Sequence, residues 1–249
     1  MKIAVLSDIH ANLEALEAVW ADALKLGADR FICLGDTVGY GPDPQPVVSR
    51  LALSHTLTVQ GNHELALFSP SLMPRMSFEA RITLRYASGQ LSPAARLWMS
   101  LLPKVHTENG ARFVHGAPPK SVLRYMTQCE GRELARRFTL YPETVCFTGH
   151  THIQTITRYS HHGKIVAGLL FEGRHQLSPR FRHIIGVGSV GQPRGGGTSA
   201  EYVLWTPKTN EVLARRVPYD TTATLQKIRE LDFPESLHSL LQGGAGGDF

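Results

Sequence analysis

Five short polar signatures lie along the 249-residue chain, and each follows a run of apolar residues typical of a buried strand. In chain order they are Asp8-Ile9-His10, Gly35-Asp36, Gly61-Asn62-His63-Glu64, His115-Gly116 and Gly149-His150-Thr151-His152. Polar side chains released at strand ends in an α/β sheet face the crevice where ligands bind. Imidazole, carboxylate and amide groups together suit a borderline or hard divalent cation, and seven such groups are too many for one ion. The sequence therefore predicts a site for two metal ions.

The elements that must position these signatures are strands alternating with helices. Strands are predicted directly before the signatures, at residues 3–6, 30–34, 57–60, 111–114 and 144–148. Helices are predicted at residues 12–26, 43–53 and 129–138, with Asn12 and Asp43 as the N-caps of the first two. Three further helical stretches within residues 64–102 are expected to cap one side of the site.

The rest of the chain predicts short strands followed by a helical tail. The strands are expected at residues 154–159, 164–167, 184–187, 202–205 and 211–217. The tail spans residues 221–242, and residues 243–249 are expected to fray. No linker rich in Pro, Gly or Ser divides the chain, and no internal repeat is visible. We therefore expect residues 1–249 to form one domain.

The order and spacing of the five signatures resemble those of the calcineurin-like metallophosphoesterases. Residues 36–42, 115–118 and 188–194 are further similar to a small bacterial branch of phosphodiesterase-like and dinucleotide-polyphosphatase-like members. The resemblance covers almost the whole chain. It implies an α/β fold, described more fully as a four-layer α+β sandwich, in which two mixed β-sheets pack face to face with helices on the outside.

The same resemblance implies a role for each site residue. Asp8, His10 and His152 would bind one ion, Asn62, His115 and His150 would bind the other, and Asp36 would bridge both. His63 would act as the catalytic acid that protonates the leaving oxygen, a role that imidazole suits because its pKa lies near neutral pH. The cofactors would be two divalent metal ions, with manganese preferred and iron, nickel, zinc and magnesium left open.

One departure from the family pattern concerns the residues around His63. Relatives with a G-D-x-V-D-R-G motif carry an aspartate that pairs with this histidine and an arginine that binds phosphate, whereas this chain has Gly39 and Tyr40 there. The departure argues against the phosphoprotein-phosphatase branch. Tyr40 either exposes its ring beside the metals, where it could stack on a nucleobase, or packs within its turn. Arg194 is the best candidate to supply the missing phosphate-binding charge.

These features predict an enzyme that hydrolyses phosphate esters by attack of a metal-bound hydroxide. Small phosphodiesters or nucleotide polyphosphates, such as dinucleoside polyphosphates, are the expected substrates. A phosphomonoesterase, a nuclease and a non-catalytic metal-binding scaffold for protein partners remain as alternatives. Scaffold members typically lose the acid histidine or several ligands, whereas this chain retains His63 and all seven ligand positions.

Composition and charge limit which binding partners and which cellular compartment are expected. The formal net charge is +5, but no dense basic run occurs, so no dedicated nucleic-acid surface is predicted. The three cysteines, Cys33, Cys129 and Cys146, form no C-x-x-C motif and are not expected to form a disulfide framework. No stretch approaches the ~20 apolar residues that cross a bilayer. We expect a cytoplasmic protein without a membrane partner, and we leave homo-oligomerisation open.

Overall fold

The protein, described by a computed structural model over residues 1–195 and 197–241, is built around two six-stranded mixed sheets. The first sheet has the order β3-β2-β1-β11-β12-β9. Its strands are β1 (Ile3–Leu6), β2 (Arg30–Cys33), β3 (Leu57–Thr58), β9 (Gly173–Gln176), β11 (Ala200–Thr206) and β12 (Glu211–Val217). The second sheet has the order β4-β5-β6-β10-β7-β8. Its strands are β4 (Val105–Glu108), β5 (Ala111–Val114), β6 (Val145–Thr148), β7 (Gln154–Ser160), β8 (Ile165–Leu169) and β10 (Phe181–Val187).

Eight helices are present within the part of the chain that the structure describes. They are α1 (Leu13–Lys25), α2 (Pro44–Leu53), α3 (Asn62–Phe68), α4 (Phe78–Gln90), α5 (Pro93–Ser100), α6 (Gly131–Thr139), α7 (Thr221–Glu230) and α8 (Ser236–Leu241). Asn12 caps α1 as predicted, since its side chain accepts a hydrogen bond from the backbone N–H of Ala15. Asp43 stands at the predicted N-cap of α2, but its side chain makes no capping bond. Its carboxylate instead accepts a hydrogen bond from Lys227 Nζ at 2.8 Å.

The two sheets pack face to face around one apolar core. Trp205 of the first sheet lies against Phe113 and Phe147 of the second, with ring centroids 6.1 and 5.2 Å apart. On the outer face of the first sheet, buried residues of α1 and α2 pack against the strands. On the outer face of the second sheet, Phe138 of α6 does the same. The predicted architecture of two mixed sheets with helices outside is therefore confirmed.

One buried amide links the two sheets directly. Gln154 of β7 is 2 % exposed, and its Nε2 donates to the carbonyl oxygens of Val187, Tyr202 and Arg215 at 3.3, 3.0 and 3.3 Å. Val187 belongs to the second sheet, whereas Tyr202 and Arg215 belong to the first. A buried amide without partners would cost stability, so these bonds favour one relative position of the sheets.

The structure differs from the sequence-based elements at the start of α3 and in one additional strand. The third strand covers only Leu57–Thr58, and α3 begins at Asn62 rather than at the predicted residue 64, so Asn62 and His63 lie in the first turn of a helix. The strand β9 was not predicted, because its polar sequence Gly-Arg-His-Gln at the edge of the sheet shows no apolar alternation.

The helical segments outside the sheets pack through their own apolar clusters. α4 and α5 lie against α2 and α3 through a cluster that includes Val48, Leu84 and Met99. The tail helices form another cluster, Leu225, Ile228, Phe233 and Leu237, packed against Tyr40 and Tyr86. The predicted fraying of residues 243–249, and the last residue of the predicted tail, lie outside the described residues. None of the helices in the described ranges has the length and hydropathy of a membrane span.

Candidate metal centre

Seven polar side chains from both sheets converge at one end of the sandwich. β1 and β2 are parallel, as are β5 and β6, so the loops that follow these strands meet at the same edge. Each of the seven residues is at most 8 % exposed. They are Asp8, His10, Asp36, Asn62, His115, His150 and His152.

The donor atoms separate into two groups. In the first, His152 Nε2 lies 3.1 Å from His10 Nε2 and 3.3 Å from Asp8 Oδ1. In the second, His115 Nε2 lies 2.9 Å from Asn62 Oδ1 and 3.1 Å from His150 Nδ1. Each group therefore brings nitrogen and oxygen donors close enough to share one cation.

A single oxygen of Asp36 lies between the two groups. Its Oδ2 is 3.3 Å from His115 Nε2 and 4.0 Å from His10 Nε2. Its Oδ1 accepts a hydrogen bond from the backbone N–H of His63 at 2.9 Å, which leaves Oδ2 free to face both groups. Burial by itself raises the pKa of Asp36, but the charges of His115 and His63 outweigh it and hold the pKa well below its usual range.

Backbone carbonyl groups orient all four imidazole ligands. The Nδ1–H groups of His10, His115 and His152 donate to the carbonyl oxygens of Val38, Leu34 and Gln192, at 3.2, 2.9 and 2.7 Å. Each bond places the lone pair on Nε2, which faces the site. His150 is reversed: its Nε2 donates to the carbonyl oxygen of Leu123 at 3.2 Å, and its Nδ1 faces the site.

This orientation provides a test of whether the residues fit a metal. Because Nδ1 of His10 and of His152 carries the proton, the 3.1 Å contact between their Nε2 atoms brings two lone pairs together. A cation between them turns that unfavourable contact into a favourable one. Four imidazoles, two carboxylates and one amide oxygen, with no thiolate, also suit a borderline or hard divalent metal. The residues fit such a metal on both grounds.

The ligand loops hold an uncommon backbone conformation. Asp8, His10, Asp36, His150 and His152 have φ values of +53°, +49°, +52°, +66° and +59°. Non-glycine residues rarely occupy this left-handed region, and such strain concentrates at functional sites. Hydrogen bonds between the loops maintain it: the N–H groups of Asp8 and His10 donate to the carbonyl oxygens of Gly35 and Asp36 at 3.0 and 2.9 Å.

Glu64 holds the loop that carries Asp36, a role the sequence analysis missed. Glu64 is fully buried; its Oε2 accepts from the N–H groups of Asp36 and Gly61 at 2.9 and 2.8 Å. Its Oε1 accepts from the N–H and the hydroxyl of Thr37 at 2.6 and 2.8 Å. The available signal was a carboxylate beside two site residues in the 61–64 signature, but only the folded chain shows which backbone groups it reaches.

His63 lies beside the Asp36 carboxylate. Its Nε2 is 3.9 Å from Asp36 Oδ2, whereas its buried Nδ1 has no hydrogen-bond partner among the described residues. A Cβ placed on Gly39 would lie 2.2 Å from that Nδ1, so a larger residue at position 39 would displace the ring. The backbone at Gly39 therefore lies too close to His63 for an aspartate at this position without a shift of the ring. Burial lowers the pKa of His63, and the charge of Asp36 partly opposes the shift.

A cavity of about 510 Å³ opens above these donors. Tyr40 and Arg194, the two residues proposed for substrate contacts, both line it. The Tyr40 ring is 4.8 Å from the His10 ring and 5.0 Å from the His63 ring, and it also packs against the apolar residues of the tail. The ring thus faces the cavity and packs against the tail rather than within its own turn.

Arg194 has no acidic partner within residues 1–195 and 197–241, where no carboxylate lies within 4.0 Å of its guanidinium group. Its Nη2 donates to Gln192 Oε1 at 3.3 Å, and its buried Nε has no partner among the residues that the structure describes. Its backbone N–H donates to the carbonyl oxygen of His152 at 3.0 Å, which anchors the residue beside a ligand.

Tyr125 is a second aromatic residue of the cavity, and no sequence motif marks it. Its ring stacks on the His150 imidazole, with ring centroids 3.7 Å apart and an interplanar angle of 17°. Its position outside every signature explains why it was missed. Tyr40 and Tyr125 therefore lie beside different histidines of the site.

The fold and the clustered donors define a metal-dependent phosphoesterase, and comparison with known proteins agrees. The family model for calcineurin-like phosphoesterases matches residues 1–154, more than half of the chain. The chain therefore belongs to the calcineurin-like phosphoesterase family, and the resemblance noted in the sequence is confirmed. Hydrolysis of phosphoesters follows from this membership together with the donor groups.

Individual relatives match the chain over nearly its full length. An uncharacterised protein of Methanocaldococcus jannaschii is 31 % identical over 246 residues, which cover 94 % of this chain and 95 % of that protein. The crystal structure of a metallophosphoesterase from Sphaerobacter thermophilus is similar with a TM-score of 0.84 and 33 % identity, over 97 % of this chain and 98 % of the other. A hypothetical protein of Pyrococcus horikoshii shares the fold, with a TM-score of 0.75 and 19 % identity over 98 % and 99 % of the two chains.

Replacing the shared carboxylate should affect both metal positions together. In Asp36→Asn one charge facing two cations is lost, so we expect the content of both metals to fall, as measured by elemental analysis. Asp232→Asn is a matched control, because Asp232 is exposed and has a φ of +50°, close to the +52° of Asp36. Two retained metals in Asp36→Asn would show that Asp36 does not bridge.

Removing one acceptor from Glu64 should weaken metal binding without touching a ligand. In Glu64→Gln the amide NH₂ must face N–H donors that a carboxylate oxygen now accepts, so the Asp36 loop loses part of its support. We expect metal affinity to fall about 10–100-fold, the usual effect of losing a group that orients a ligand. Titration calorimetry measures the effect, with the exposed Glu230→Gln as control. Unchanged affinity would limit Glu64 to a structural role.

Proposed function

We propose that this phosphoesterase uses two divalent ions to hydrolyse small phosphodiesters or nucleotide polyphosphates. The observation that carries the proposal is the single oxygen of Asp36, which lies between two donor groups at the floor of the 510 Å³ cavity. Asp8, His10 and His152 would hold one ion, and Asn62, His115 and His150 the other. When bound, two such ions lower the pKa of a coordinated water and neutralise developing charge on the phosphoryl oxygens.

Manganese is the metal we propose first. The carboxylate and amide oxygens of the donor set suit manganese, and the lack of a thiolate among the seven donors disfavours softer metals. Iron, nickel, zinc and magnesium use overlapping donor sets and remain alternatives. The metals can be ranked by removing metal with a chelator, adding each ion back separately and measuring the activity.

His63 is proposed to give its Nε2 proton to the leaving oxygen. The residue lines the cavity, and its Nε2 faces Asp36 Oδ2 at 3.9 Å. Burial lowers the pKa of His63, and the charge of the Asp36 carboxylate opposes that shift. The absence of a side chain at Gly39 lets the ring approach the floor of the site. Because Nδ1 has no partner among the described residues, Asp36 is the acidic group that faces the ring.

The shape of the cavity supports a small substrate. The cap contributes Leu72, Met76 and Ser77 to its walls, and the tail contributes Ser236 and Ser239. A cavity of about 510 Å³ has the size of a typical small-molecule site. That size supports a small substrate rather than a nucleic-acid strand, and the complete donor set with His63 supports an enzyme rather than a scaffold.

Arg194 is proposed to hold a phosphate group distant from the one that is cleaved. Its guanidinium lacks a carboxylate partner in the described chain, lines the same cavity and is anchored beside His152. An unpaired arginine suits a phosphate because it presents several N–H donors in a plane. Tyr40 or Tyr125 offers an aromatic surface for a nucleobase at the same cavity.

The decrease in turnover caused by replacing His63 should depend on how basic the leaving group is. We expect His63→Ala to retain both metals and to lose about 10²–10⁴ in turnover on an alkyl ester, the usual contribution of general acid catalysis. The loss should shrink for a nitrophenyl ester, because nitrophenolate leaves without a proton. Stopped assays on both esters, with metal analysis and the exposed His161→Ala as control, provide the measurement. Equal losses on both esters would assign His63 to positioning.

Replacing Arg194 should raise KM for nucleotide substrates but not for simple esters. We expect Arg194→Ala to raise KM for a dinucleoside polyphosphate by roughly 10–100-fold, since one charge-assisted contact contributes about 1.5–3 kcal/mol. KM for a nitrophenyl diester should stay nearly unchanged, because that ester has no distal phosphate. The exposed Arg85→Ala is the control. If Arg194→Ala affects both substrates equally or neither, the nucleotide assignment fails and a general phosphodiesterase remains. Turnover of a nitrophenyl monoester that is faster than turnover of the diester would indicate the phosphomonoesterase.

A further inference from the structure

The two sheets present four open edges, and three of them are protected against pairing. β3 is only two residues long. β4 has the polar sequence Val-His-Thr-Glu, and its Glu108 pairs with Arg30 at 3.0 Å. β9 has the sequence Gly-Arg-His-Gln, and its Arg174 pairs with Glu211. Short length and charged side chains are the usual ways in which proteins keep an edge strand from pairing with another chain.

The fourth edge, β8, lacks such protection. Its sequence is Ile-Val-Ala-Gly-Leu, and its last four residues are exposed. Val166 and Leu169 are 43 % and 57 % exposed, and Phe171, two residues beyond the strand, is 66 % exposed. A strand that is apolar, uncharged and open along one side is what an intermolecular β-pairing requires.

The hydrogen bonds of β8 identify which backbone groups are open. On the β7 side, Leu170 N–H donates to the carbonyl oxygen of Gln154, and Ser160 N–H donates to that of Lys164. Backbone groups alternate along a strand, so even-numbered residues face β7 and odd-numbered residues face outward. The N–H and C=O groups of Ile165, Ala167 and Leu169 therefore point away from the sheet.

Charge at the two ends of this segment suits a second copy in the antiparallel direction. Lys164 precedes the strand and has no carboxylate within 4.0 Å in the described part of the chain. Glu172 follows the strand; its Oε1 pairs with Arg215 Nη1 at 3.2 Å, and its side chain remains 47 % exposed, so the carboxylate can also meet a second cation. No charged residue lies between them. Antiparallel pairing of β8 with itself places the Lys164 end of each copy beside the Glu172 end of the other, so the two ends attract.

We propose that two copies of this chain associate through antiparallel pairing of their β8 strands. The second sheets of the two copies then form one continuous sheet, and the interface is isologous, since the same strand serves on both sides. Val166, Leu169 and Phe171 become covered by the partner's strand and the residues that flank it. The metal sites are not part of this contact, so the proposal is independent of the substrate.

Association is tested by sedimentation equilibrium at micromolar concentrations. The wild-type chain should have twice the 27.5 kDa mass of one copy. Ala167→Pro should be monomeric, because it removes an outward-facing N–H and leaves the bonds to β7 intact. Leu169→Lys should weaken association by about tenfold or more, since it places a charge in the apolar contact. Leu53→Lys, which adds the same charge at an 80 % exposed leucine on α2, should change nothing.

Thermal melting and circular dichroism identify variants that fail to fold. If Ala167→Pro does not fold, Leu169→Lys still tests whether β8 forms the interface. A wild-type chain that is monomeric at these concentrations overturns the proposal. So does an oligomer that both β8 variants leave intact. Weaker association in Lys164→Glu, most pronounced at low salt, is expected from the antiparallel direction, and stronger association would contradict that direction.

Discussion

The position of the Asp36 carboxylate is the constraint on which the site depends. Asp36 follows a strand of the first sheet, whereas His115 and His150 follow strands of the second, so the distance between the groups depends on how the sheets pack. The core of Trp205, Phe113 and Phe147, with the Gln154 amide across it, sets that packing. A buried charge without partners would be strongly unfavourable, and the surrounding imidazoles and backbone N–H groups offset that cost.

Around this carboxylate, hydrogen bonds to backbone groups hold the donor side chains in place. Carbonyl oxygens orient the imidazole ligands, and the Asp36 loop is held by Glu64 through backbone N–H groups. Several of the donor residues have a left-handed backbone conformation, which few non-glycine residues adopt unless surrounding contacts hold them there. Gly39 belongs to the same arrangement: the absence of a side chain there, rather than an added aspartate, determines how closely His63 approaches the floor.

Elements outside the signatures shape the cavity above the metals. The tail cluster of Ile228, Phe233 and Leu237 packs against Tyr40, and two serines of α8 line the wall. A network in which Lys227 contacts Glu14 and Asp43 ties the tail to α1 and to the start of α2. The walls of this cavity therefore include residues more than 200 positions from the first signature, whereas the clustered donor groups belong to the signatures themselves.

By itself, the sequence determined the family, the strands that precede the signatures along the chain and the candidate donor side chains. Each of these depends on local pattern and residue type. The start of α3 at Asn62 and the edge strand β9 were not predicted, since a helix turn without apolar periodicity and a polar edge leave weak local signals. Only the tertiary structure decided what Glu64 contacts, that Tyr125 stacks on His150 and that the tail covers Tyr40. These are contacts between side chains and groups brought together by folding, and the types of the residues involved do not specify which partner each one meets.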